Sequence, residues 1–208
     1  MAGRPRSVAE VVEAARLGPR LKCVYFWGHH PRRDGTVGSS CLSQWWHAPF
    51  TVDGVRYPTA EHWMMAGKAR LFGDDAALER VLLAGHPHEA KAVGRSVRGF
   101  DEEHWREHRY ELVVRGSIAK FAHRPDLRTF LLGTQHRILV EASPVDAVWG
   151  IGLAADDERA QDPARWRGLN LLGFALMDAR DALAAEGAAE GAVEGAAEGA
   201  AEGAAEGA

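Results

Sequence analysis

Cysteine is nearly absent from this chain: Cys23 and Cys41 are the only two in 208 residues. That is too few for a disulfide scaffold, and their spacing is not that of metal ligands, so a reducing, cytoplasmic setting is expected. Long apolar runs are missing as well. No stretch approaches the roughly 20 apolar residues of a membrane span, and the opening MAGRPRSVAEVVEAARLG lacks the apolar core of a secretory signal, so no membrane partner is expected. There is no Walker loop, no G-x-G-x-x-G fingerprint and no serine nucleophile elbow, and P-loop, kinase and dehydrogenase readings lose support accordingly. A strong excess of charge is also lacking. The formal net charge of −4 comes from Glu186, Glu190, Glu194, Glu198, Glu202 and Glu206, and without these six the 23 remaining acids face 25 bases, a body charge of +2. Such a body neither requires nor excludes nucleic acid, whose binders usually carry a clear basic footprint.

What is present suits one well-packed domain, with 46% hydrophobic residues. The expected organisation is an N-terminal helical extension over 1–20, a globular body over 21–184, and a flexible acidic Ala/Glu/Gly repeat over 185–208. In that repeat each glycine costs about 1 kcal/mol of helix propensity. Ser7 and Glu10 form a capping-box pattern ahead of a short helix ending near Gly18. CVYFWG at 23–28 reads as a strand, His29 to Ser40 as an exposed loop, and Asp53-Gly54 between Val52 and Val55 as a hairpin turn. Helices are expected from Thr59 to Gly73, from Asp74 through Leu83, from Pro87, and from Asp101 towards His123, with Pro125 marking an end. RILVEA at 137–142 reads as a strand, a loop carries Asp146, Trp149 and Gly150, and 171–184 closes the body as an amphipathic helix. The sum is a helix-rich α+β domain with a small β-sheet.

The segment YPTAEHWMMAGKARLFGD concentrates the candidate chemistry. Seven residues are nearly two helical turns, with a drift of about 20°, so Glu61 and Lys68 are expected on one stripe beside Met64 and Met65. Thr59 is a plausible N-cap, and the helix dipole alone could explain Glu61. It does not explain Lys68, whose apolar neighbours would lower its pKa and make it nucleophilic. Trp45 and Trp46 precede the hairpin, and Trp149 stands beside Gly150; an indole in a glycine-flanked loop can stack on a base, for roughly 1–3 kcal/mol. Asp146 could bind a ribose hydroxyl or act as a second acid, although after Pro144 it also fits a simple turn residue. Lys120, at the end of the long helix, offers a phosphate contact or merely suits the dipole there. Asn170 is placed to cap the last helix, leaving amides for an anion. A rival pattern, His104-x-x-Glu107-His108, matches the H-x-x-E-H of inverted zinc proteases, but Glu102, Glu103, Arg106 and Arg109 surround it like a solvated helix face. Glu141 and Glu158 are the acids that could complete such a site.

Taken together, LSQWWHAPFTVDGVRYPTAEHWMMAGKARLFGD, IAKF, LLGTQHRILVEASPVDAVWGIGL and WRGLNLLGFALMDAR resemble the NADAR family, related to riboflavin-intermediate N-glycosidases, from about Tyr25 to Arg180. The order of four separated blocks is far more specific than any one of them. The resemblance implies cleavage of an N-glycosidic bond to ribose, either in phosphorylated pyrimidine intermediates or in ADP-ribose attached to guanine, including guanine in nucleic acid. It implies no cofactor and no metal. It maps Glu61, Lys68, Asp146 and Trp149 onto the family's motif positions, while Ser43-Gln44-Trp45 departs from the Ser-Asn-Phe/Tyr of many relatives and reshapes the expected pocket wall. A module that only binds ADP-ribose or a related nucleotide is the alternative, with a zinc protease behind it. Nothing in the chain specifies a protein partner.

Overall fold

In a computed structural model, which describes residues 4–18 and 21–189 with their side chains and 190–205 by backbone course alone, local signals and local structure agree at most element ends. Ser7 accepts the Glu10 amide and caps α1 (Val8–Leu17). Its apolar face reaches the interior at Val11, while Arg4 and Arg6 ahead of it pair with Asp178 and Asp181. Strand β1 (Cys23–Phe26) leads through a 3-10 turn (Ser39–Leu42) to the hairpin β2 (Phe50–Val52) and β3 (Val55–Tyr57). Asp53 and Gly54 both take positive φ, 51° and 76°, as a two-residue type I′ turn requires.

Helix α2 (Ala60–Leu71) starts from the Thr59 cap and is followed by α3 (Asp75–Leu83), α4 (Pro87–Arg95) and α5 (Glu102–Ala122), capped by Asp74, His86 and Asp101. Pro125 marks more than an end. Its missing N–H and fixed φ suit the first position of a helix, and α6 (Pro125–Gly133) begins there. Strand β4 (Ile138–Glu141) and the long α7 (Leu171–Ala205) complete the order.

The expected α+β class holds, but the single small sheet is in fact two separate pairs. β2 and β3 pair antiparallel, whereas β1 and β4 pair in parallel from Cys23↔Ile138 to Phe26↔Glu141. Parallel partners need a long crossover, and here more than 110 positions of mostly helical chain separate them, so no local signal could announce the pair. Helix α2 lies at the centre, against α3, α4 and α5, and α7 packs on α5 and β4. From Ala60 to Ala66 every residue of α2 is buried. The acidic repeat, expected as a flexible extension, has helical backbone through Ala205. It continues a helix already nucleated by the packed 171–184 segment, so it avoids the nucleation cost.

Candidate active site

Two elements bring carboxyl groups to one place. Thr59 caps α2 and its hydroxyl also meets Nδ1 of His62 at 2.8 Å, fixing the first turn, where the Glu61 amide donates to the Gln44 carbonyl at 3.0 Å. Glu61 is thereby held, 2% exposed, with its Oε1 making no hydrogen bond among the described residues. Burial pushes its carboxyl up to about 7; the Lys91 ammonium and a hydrogen bond from the Trp45 side chain oppose this, Asp146 adds to it, and Arg95 opposes it. At the end of β4, Glu141 has one oxygen, Oε2, fully shielded and unpartnered. Its carboxyl is pushed up to about 8 by burial first, then by Asp146, against Lys91, with Glu61 adding to the rise. The three acids thus feel one another, and the Lys91 ammonium acts on two of them, Glu61 and Glu141. Lys91 and Arg95, one turn apart on α4, supply the cationic side.

The Asp146 loop is built to hold its shape. Oδ1 of Asp146 accepts the amides of Val148 at 2.9 Å and Trp149 at 2.8 Å, and the Ile151 amide returns to the Glu141 carbonyl at 2.9 Å. Gly150 is required by this approach, since a Cβ there would lie 2.8 Å from the Glu141 carbonyl oxygen. Asn170 sits at φ 53°, donates through Nδ2 to the Leu139 carbonyl and accepts the Glu141 amide on Oδ1, both at 2.9 Å. Its side chain therefore positions β4 and Glu141 instead of capping α7.

Trp45, half-buried, forms an aromatic wall beside the acids. Its ring lies 5.5 Å from His29, 6.0 Å from His86 and 6.3 Å from His88, with Lys91 Nζ 5.8 Å from the ring centre. Burial lowers the His29 pKa, helped by His30 and His86.

Of the residues expected from the sequence, the structure brings together Glu61, Asp146 and Trp45, with Trp149 and Gly150 on the loop that Asp146 holds. It does not bring Lys68 to them. Seven residues rise about 10.5 Å along a helix, so the shared stripe still ends in two different environments. Lys68 Nζ sits 3.9 Å from the Phe100 ring centre and 5.5 Å from that of Trp105, its pKa lowered by burial against the pull of Glu102. Trp46 is 8% exposed and belongs to the core. Lys120, 1% exposed, donates to the carbonyls of Cys41 at 2.6 Å and Ser43 at 2.8 Å. It anchors the turn before Trp45, and its burial sets it inside the body. From the sequence Glu141 is offered only as a metal ligand, and the residues missed are Lys91, Arg95 and the histidines around Trp45. The i, i+4 spacing of Lys91 and Arg95 after Pro87 was a usable signal, and so was an acid closing an otherwise apolar strand.

The H-x-x-E-H segment lies elsewhere, on exposed turns of α5. His104, Glu107 and His108 there form the one group of three or more metal-capable side chains among the described residues. No residue from another element joins them, so the buried cleft of a zinc protease is not formed.

Two buried carboxyl groups with raised pKa values beside an aromatic wall mark a candidate functional site on this helix-rich α+β body. The match to a family model sharpens this: the NADAR domain fits residues 25–184, and the chain belongs to that family. It is 37% identical over 165 residues to "N-glycosidase R617" of Acanthamoeba polyphaga mimivirus, covering 77% of this chain and 95% of that one. It is 32% identical over 138 residues to "N-glycosidase YbiA" of Escherichia coli, covering 66% and 78% respectively. The NMR structure of E. coli YbiA superposes with a TM-score of 0.64 at 27% identity, over 83% of this chain and 92% of that one.

Proposed function

We propose that this chain hydrolyses the N-glycosyl bond of a phosphorylated ribosylated base. The general activity rests on family membership and on relatives that bear the name N-glycosidase. The site reading rests on one observation: the buried carboxyl groups of Glu61 and Glu141, both raised towards neutrality by burial, feel each other, Asp146 and the Lys91 ammonium. Cleaving a ribose C–N bond requires a proton for the departing base and negative charge beside the developing oxocarbenium ion. Glu141, pushed up to about 8, retains its proton at neutral pH and serves as the acid. Glu61, pushed up to about 7, gives up its proton near neutrality; as carboxylate it stabilises the cation and orients water. Trp45 stacks on the base, and Lys91 with Arg95 meets the phosphate. No metal is needed for this route.

The route favoured from the sequence, attack of Lys68 on the sugar and imine formation, is kept here as the alternative, because the position of Lys68 over Phe100 and Trp105 supports the carboxylate route. Borohydride trapping that fixes sugar to Lys68 would reverse that order. Substrate class divides between riboflavin-pathway ribosylaminopyrimidine phosphates and ADP-ribose on guanine, free or in nucleic acid. Incubation with each, followed by mass spectrometry of released base and sugar, separates them. Release from neither, with binding retained, would leave a nucleotide-binding module. The reducing, cytoplasmic setting rests on the scarcity of cysteine in the chain.

A further inference from the structure

From the exposed face of α5 we infer that His104, Glu107 and His108 form a binding site for a divalent first-row transition ion of the imidazole-preferring, zinc-like class, separate from the carboxylate site. One ligand atom from each side chain already lies within 4.8 Å of the other two. A zinc ion with nitrogen ligands at about 2.0–2.1 Å needs donors roughly 3.3 Å apart, a change that rotation of exposed side chains supplies. The arrangement of the donors is as important as their spacing. Nδ1 of His108 is 2.9 Å from the His104 carbonyl oxygen; donating there fixes the tautomer and leaves the Nε2 lone pair for a metal, as the second ring nitrogen of metal-bound histidines generally does. Nδ1 of His104 lies 3.5 Å from Glu107 Oε2, so these two already face each other across a gap that a cation can bridge.

The neighbouring charges separate this trio from the rest of the helix face. Glu102 is engaged by Arg106 at 3.0 Å and by Arg109 at 3.9 Å, whereas the ion pair formed by Glu107 is with His104. Glu107 and His108 also line a cavity of about 690 Å³ between the β2–β3 hairpin, α2 and α5, whose wall includes Arg70, Arg115 and Glu111. Three protein ligands leave zinc a fourth position, which water or an anion from that cavity would fill.

The test uses the full chain with any affinity tag removed, titrated calorimetrically with zinc chloride and, in parallel, with cobalt(II) followed by its visible absorption. One ion per chain is expected to bind. Loss of an outer partner of a bound histidine typically weakens metal affinity about 10–100-fold, so H104A or H108A should weaken it at least tenfold, and E107Q by less. Circular dichroism of each variant should match the parent, because all three side chains are exposed. Absence of saturable binding would overturn the site. So would binding that persists unchanged in the H104A/H108A double variant, which would place the ion among the histidines near Trp45 instead.

Discussion

Glu61 is buried with one oxygen unpartnered, an expensive arrangement that a purely structural acid would avoid. Replacing it with glutamine keeps the volume and removes the charge. Base release by E61Q is expected to fall about 10²–10⁴-fold, the usual contribution of a positioned acid or base, while substrate affinity changes little; a rate within threefold of the parent would remove Glu61 from the mechanism. Lys91 gives a second test through pH. It lowers the pKa of both Glu61 and Glu141, so K91M should raise both. Activity that needs protonated Glu141 is lost as pH rises through about 8, and in K91M this alkaline limb moves to higher pH. The acid limb, set by ionisation of Glu61 near 7, moves up with it. A pH–rate profile unchanged in K91M would show that the ammonium does not face these acids. The same shifts act on stability. Both carboxyls hold their protons to higher pH folded than unfolded, so their contribution to stability declines as pH rises from about 4.5 towards 7–8.

Among the elements, the loop from Asp146 to Gly152 joins β4 to the start of α7, and its shape depends on close backbone approach. A Cβ on Gly168 would fall 2.2 Å from the Gly150 carbonyl oxygen, which is backbone and cannot swing away. G168A is expected to cost about 1–3 kcal/mol, as overpacking does, and to displace the loop that carries Asp146 and Trp149. Urea unfolding should show the loss, and kcat/KM should drop by more than stability alone explains. A variant with parental stability and activity would mean that the loop is not held as described. Helix α2 teaches a related lesson. Its cap, first-turn acid and left-handed Gly73 at φ 66° were all legible locally, and they fix where the helix begins and ends. Which residues face each end was not legible, because α4 meets Glu61 whereas Phe100 and the start of α5 meet Lys68.

For the molecule as a whole, the core of the described residues extends along α7 to Leu183. Truncation after Ala189 is expected to leave the unfolding free energy from urea titration within about 0.5 kcal/mol of the parent, as surface changes generally do, while far-UV ellipticity loses the helical signal of the repeat. A loss well beyond 1 kcal/mol would show that the repeat packs on the body. The sequence alone determined the α+β class, the caps of α1, α2, α3 and α5, the Pro87 start of α4, the I′ hairpin and the family, because these depend on short-range backbone chemistry or on motif order. It also placed Glu61, Asp146 and Trp45 as site candidates, the first two through the family's motif positions and the third as an indole ahead of the hairpin. Only the tertiary structure decided that β1 pairs with β4, that Glu141 and Lys91 join the acids, and that Lys68, Trp46 and Lys120 belong elsewhere. Burial and electrostatic coupling are properties of residues far apart in the chain, and a helix periodicity gives the face of a side chain without saying what will pack against it.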